Sequence, residues 1–183
     1  AADKALDLGD KYNAYRIARA PVAGILAQMQ GKYSDPTIWN NYNAKLTQAD
    51  ADATPAANKY AEATTALTTI RSGMSSTLQT WTQNSIKAQY QTLENGPEPT
   101  FIAADIQQLK DWHDSVPTRL AGGEWGTMNV LTTRALRFRV AATDRATRRK
   151  AYLDEKKKAT DAITPLKANP AMATQVTAFE KVL

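Results

Sequence analysis

No cysteine occurs anywhere in this 183-residue chain, and histidine occurs once, as His113. The first absence excludes a disulfide framework, a thiolate metal site and a thiol nucleophile. It leaves the compartment open, since many secreted proteins also lack Cys. The second leaves little for acid–base catalysis. A zinc site needs three or four ligands of matched geometry, and Asp111-Trp-His-Asp114 offers one imidazole between carboxylates, the pattern of a helix-surface cluster. A Ser-His-Asp triad would have to use His113, and no serine sits in a nucleophile-elbow setting.

Other signatures are missing too. Asp50 and Asp52 flank Ala51, but the remaining ligands and the glycine of a calcium loop do not follow. Gly122-Gly-Glu-Trp-Gly126 is not a phosphate loop, because no Gly-Lys-Ser/Thr comes after it. The longest apolar run, Pro21 to Met29, falls well short of the roughly 18–20 residues a membrane span needs. No alternation of apolar and polar residues long enough for a half-buried strand appears, and no long internal repeat. The expectation is a protein that is not an enzyme, with no catalytic residues, no metal, no cofactor and no membrane span.

Glycine is sparse and alanine abundant, which favours helix. The punctuation gives the elements. A polar helix over 3–19 carries Leu6, Leu8, Tyr12, Tyr15 and Ile17, and Pro21 should break or restart it. A second helix over 21–30 ends at Gly31, and Gly31 to Pro36 reads as a turn. A short helix over 37–48 places Ile38, Trp39, Tyr42 and Leu46 on one side. Thr54-Pro55 is a capping residue followed by a first-turn proline, predicting a helix that runs to Glu94. Tyr60, Leu67, Met74 and Trp81 recur every seventh residue, with Ala63 and Ile70 between them and Leu78, Ile86, Tyr90 and Leu93 beyond. Gly73 marks a bend or a close packing point. A helix over 101–115 ends at Pro117, a glycine-flanked Trp125 forms a connection, and a helix runs from about 127 to 163. Pro165 breaks it, and Pro170 opens a terminal helix carrying Met172, Val176, Phe179 and Val182. The four tryptophans read as core or interface anchors.

The fold expected is therefore all-α: a multi-helix bundle with a long central helix, a long basic helix and a projecting N-terminal helical arm. The division expected is an arm over 1–36 and a bundle domain over 37–183.

Charge is the feature that is present. Between Arg134 and Lys158 stand ten Lys and Arg against three Asp and Glu, a local +7 in a chain whose net charge is +5. At about 100° per residue, Arg134, Arg137, Arg145, Arg148, Arg149 and Lys156 fall in one sector, with Phe138 and Tyr152 inside it. Leu136, Val140, Thr143, Thr147 and Ala151 form a weak apolar stripe opposite. Six of the ten cations are arginine, which suits bidentate phosphate contact. Like charges three and four residues apart repel, a cost that a bound anion offsets. Intramolecular or subunit salt bridges and a merely solvated face are the competing readings of the same run.

The six cations are the candidate nucleic-acid site, reading backbone and not base sequence. The function expected is a self-assembling structural subunit that packages or coats nucleic acid, a viral or phage coat or nucleocapsid protein by architectural analogy, with nucleic acid and further copies of itself as partners. The alternative is an extracytoplasmic helical-bundle adaptor that binds another protein. The start at Ala1-Ala2-Asp3 fits either removal of an initiator Met or signal-peptide cleavage. Location follows function: a virion for a coat subunit, otherwise a secreted or periplasmic protein.

Overall fold

The computed structural model describes residues 2–30 and 36–182. Over these the chain is an all-α multi-helix bundle, with no strand among the described residues. The helices are α1 (Ala2–Met29), α2 (Pro36–Asp52), α3 (Tyr60–Glu94), α4 (Ala103–Ala121), α5 (Met128–Ile163) and α6 (Ala173–Glu180). Short 3-10 turns occupy Trp125–Thr127, Thr164–Ala168 and Pro170–Met172. The expected turn over Gly31 to Asp35 lies outside the described residues.

Two compact units share the chain: residues 1–87 with 111–134, and residues 88–110 with 135–183. The first carries eleven Lys and Arg against ten Asp and Glu, the second twelve against eight, so the second unit holds +4 and the first +1.

In the first unit α1 is one helix, not the expected two. Pro21 lies inside it. Proline leaves the carbonyl of Ile17 without its donor and costs about 3 kcal/mol in a helix interior. Ile17 is exposed, so water can take the bond. Beyond the proline Val22, Ile25, Leu26 and Met29 are all buried, each such burial contributing roughly 1.5–3 kcal/mol. Packing thus outweighs the break. Residues 2–30 fall within the first unit. What stays exposed is the stretch before Tyr15, where only Leu8 among residues 5–14 is even half-buried.

Tyr15 itself is buried. Its hydroxyl donates to the carboxylate of Asp50 on α2. Arg19 donates to the same carboxylate through two nitrogens, Nε to Oδ1 at 2.6 Å and Nη2 to Oδ2 at 2.8 Å. Tyr12 meets Tyr60 edge-on, with ring centroids 5.9 Å apart.

α3 begins five residues later than Thr54-Pro55 implied. The pair opens only a turn: Ala57 donates to Thr54 Oγ1 and Asn58 to the Thr54 carbonyl. Asn58 then adopts φ 52°, and its left-handed backbone ends the turn before Tyr60 starts the helix. The seven-residue spacing holds through Tyr60, Leu67 and Met74, then drifts. Leu78, Thr82 and Ile86 are fully buried while Trp81 is only half-buried. A straight helix drifts about 20° per heptad, and the stripe moves with it. Gly73 is a close packing point: a Cβ there would lie 3.0 Å from the hydroxyl of Tyr42, which bonds Thr77 Oγ1.

α4 also runs through its proline. Pro117 deprives the His113 carbonyl of its helical donor, and Gln83 Nε2 on α3 donates to that carbonyl at 3.3 Å. The helix stops instead at Gly123, whose φ of 86° suits glycine. There Glu124 N–H reaches the Arg119 carbonyl and Gly123 N–H the Leu120 carbonyl, the paired bonds of a Schellman ending.

In the second unit Leu93, Ile102, Ile106 and Leu109 are buried, with Ala135, Ala142, Ala146 and Ile163 of α5. α5 spans Met128–Ile163, as the basic run implied, and ends ahead of Pro165. In the terminal helix only Val176 is buried, while Phe179 and, in the turn beyond the helix, Val182 are exposed.

Candidate nucleic-acid interface

α5 holds 36 residues without Gly or Pro. Its Ala, Leu, Arg and Lys are good helix formers, and it extends for about 54 Å. Which way it faces is decided by its alanines. Ala135, Ala142 and Ala146 are fully buried, while Leu136 and Val140 are 44% and 52% exposed. The expected apolar stripe therefore does not face the core. Thr147 and Ala151 are exposed with it, and Thr143 is half-buried. The reason is geometric: methyl side chains let a neighbouring helix approach closely, so the smallest residues go inward and the larger apolar ones stay in solvent.

This rotation sorts the six candidate cations. Arg134 belongs to the first unit, where its guanidinium lies over the Trp112 ring, 4.7 Å from the centroid. The other five belong to the second unit. Arg145 forms an ion pair with Asp105 of α4 at 2.8 Å. Arg149 stacks over Phe101 at 4.5 Å and stands 3.9 Å from the carboxylate of Glu98. Glu98 lies in the connection between α3 and α4, at φ 48°. Lys156 is half-buried. Arg137 is exposed, and Arg148 pairs with Asp144 one turn earlier, at 2.8 Å, while remaining 79% exposed.

Arg145 and Arg149 are therefore engaged by acids from other parts of their own unit. Asp105 and Glu98 were not legible as neighbours of the basic sector, because 40 and 51 residues separate each pair in the chain.

Turned toward solvent are cations that the sector did not include. Lys150 pairs with Asp154 at 2.8 Å, Lys157 with Asp161 at 2.6 Å and Lys158 with Glu155 at 2.6 Å. Donating to the carboxylates of Asp154 and Glu155 raises the affinity of Lys150 and Lys158 for their protons, so both stay charged throughout the neutral range. Arg139 reaches Gln89 Oε1 at 3.3 Å. The i,i+3 and i,i+4 pairs are exposed, and such pairs contribute little. They screen the cations and do not remove them.

Chemistry of other kinds finds less support. One depression in the first unit, of about 550 Å³, is an open groove of Thr, Ser and Gln side chains against Trp125, with Arg71 its charged lining residue. His113 Nδ1 stands 2.7 Å from an Asp114 carboxylate that is itself largely exposed. Among the described residues no group of three or more His, Asp or Glu side chains is placed to hold a metal ion, and no helix is long and apolar enough to cross a membrane.

No protein-family model, curated protein or solved structure matches the chain.

Proposed function

We propose that the chain is a non-enzymatic structural subunit that assembles with copies of itself and coats nucleic acid through α5. The observation that carries the reading is a single unbroken helix with ten cations against three acids over residues 134–158, nine of the ten in a unit whose own balance is +4. Such a concentration of charge on one rigid element fits a phosphate backbone. Self-assembly rests on the apolar side chains left in solvent. Leu6 and Ile17 on α1, and Leu136, Val140 and Tyr152 on α5, are all exposed, more than scattered surface residues require.

The second reading is a helical-bundle adaptor that binds another protein. The intrachain pairs of Arg145 and Arg149 favour it, since they show cations used to hold the unit together. Light scattering and negative-stain imaging of the purified protein, with and without nucleic acid, separate the two. A coat subunit forms polymers or defined particles that grow or reorganise when nucleic acid is added. An adaptor remains a 20 kDa monomer or small oligomer that ignores it.

A further inference from the structure

The cations of α5 that reach solvent are not one patch. At about 100° per residue, Leu136, Val140, Thr147 and Ala151 form a strip running down the helix, roughly 130° around from the buried alanines. Arg137 and Arg148 lie about 80° to one side of that strip. Arg139, Lys150 and Lys157 lie about 80° to the other. All belong to the second unit, and all but the half-buried Arg139 are exposed. From Leu136 to Ala151 the exposed face is thus a narrow apolar strip between two rails of cations, on a rod about 10–12 Å across; beyond Ala151 the strip carries Asp154 and Lys158, and Glu155 continues the line of Arg137 and Arg148.

We infer that this face of α5 seats in the major groove of duplex DNA, each rail contacting the phosphates of one strand; this rests on the nucleic-acid reading above. The major groove of B-form DNA is about 12 Å wide, so one helix fills it and its two flanks meet opposite walls. A single phosphate row would engage one rail and leave the other idle. From Leu136 to Ala151 the strip bears methyl groups and a threonine hydroxyl, and no Asn, Gln or Arg to read base edges. The seating is therefore indifferent to sequence. Asp144, Asp154 and Asp161 hold Arg148, Lys150 and Lys157 by exposed pairs, which a phosphate can displace. The major groove of A-form RNA is deep and narrow, and excludes the helix.

The test uses the full chain on a duplex DNA, the matching duplex RNA and the single strand. Dimethyl sulfate modifies guanine N7 in the major groove and adenine N3 in the minor groove. Bound DNA should be protected at N7 and stay reactive at N3, and both the RNA duplex and the single strand should bind at least about tenfold more weakly. Five rail contacts give a slope of log affinity against log salt of about −4.5. Removing one contact from each rail, by Arg148→Glu with Lys150→Glu, should reduce it to about −2.7. The inference is overturned if DNA is bound with N3 protected and N7 reactive, or if the single strand binds as tightly as the duplex. It is overturned too if the double variant loses self-association at unchanged DNA affinity, which makes the face a protein interface. In those cases nucleic-acid binding itself survives. If none of the three nucleic acids binds at low salt, the proposed function falls as well.

Discussion

Asp50→Asn should destabilise the first unit at neutral pH and leave it almost untouched in acid. Asp50 accepts from Tyr15 and from two nitrogens of Arg19, locking α1 to α2. Hydrogen bonds to a charged group contribute about 1.5–3 kcal/mol each when buried. The Arg19 and Asp50 side chains are 39% and 35% exposed, so solvent screening discounts that range toward the value of about 0–1 kcal/mol for surface pairs. A loss of about 2 kcal/mol for the whole lock follows, or about 4–8 °C in Tm for a chain of this size. The bonds from Arg19 hold the Asp50 carboxyl below its usual range despite partial burial. A lowered folded-state pKa stabilises the fold at every pH above the unfolded value of about 3.9. That stabilisation disappears as pH falls through the lowered value. The gap between wild type and D50N should thus be full at pH 7 and close progressively below about pH 4. Burial and the bond to Asp50 push the Tyr15 phenol up, so the share it contributes is intact below about pH 10 and declines only in stronger alkali. All four tryptophans lie in the first unit, so tryptophan fluorescence during thermal melting reports this unit alone. A Tm change under about 1 °C at pH 7, or one equally large at pH 2.5, would refute the charged lock.

Thr82 is fully buried on α3 and its hydroxyl has no hydrogen-bond partner. Thr82→Val keeps the shape and removes an unsatisfied group, and should stabilise the first unit by about 1 kcal/mol; a lower tryptophan-monitored midpoint would contradict the assignment. On α5, Ala146→Leu forces a large side chain into a fully buried position and should cost about 1–3 kcal/mol or more. Leu136→Ser, at an exposed position, should stay within about 0.5 kcal/mol; the reverse order in circular-dichroism melts would show that α5 faces the other way.

The helical class was legible because Pro and Gly punctuate the chain and apolar residues recur at helical spacing. The ends of α3 and α5 fell where Asn95-Gly96-Pro97 and Pro165 put them. Internal prolines misled, since Pro21 and Pro117 look alike in sequence whether a helix stops or continues. What decides is distant: buried side chains on both flanks of Pro21, and the Gln83 amide at the carbonyl freed by Pro117. Thr54-Pro55 misled because a cap that opens one turn reads the same as a cap that opens a helix. The candidate interface was legible as a concentration of charge but not as a surface. Hydrophobicity pointed Leu136 and Val140 inward, whereas close approach favoured Ala135, Ala142 and Ala146. That choice turned Arg145 toward Asp105 and Arg149 toward Glu98, and left Lys150 and Lys157 outward.

The most direct test of the account is the salt dependence of binding to two duplex DNAs of unrelated sequence. If α5 coats nucleic acid through its backbone, both duplexes bind with affinities within about threefold of each other, and both give a slope of log affinity against log salt near −4.5. No binding at about 50 mM salt, or a slope near zero, would contradict it.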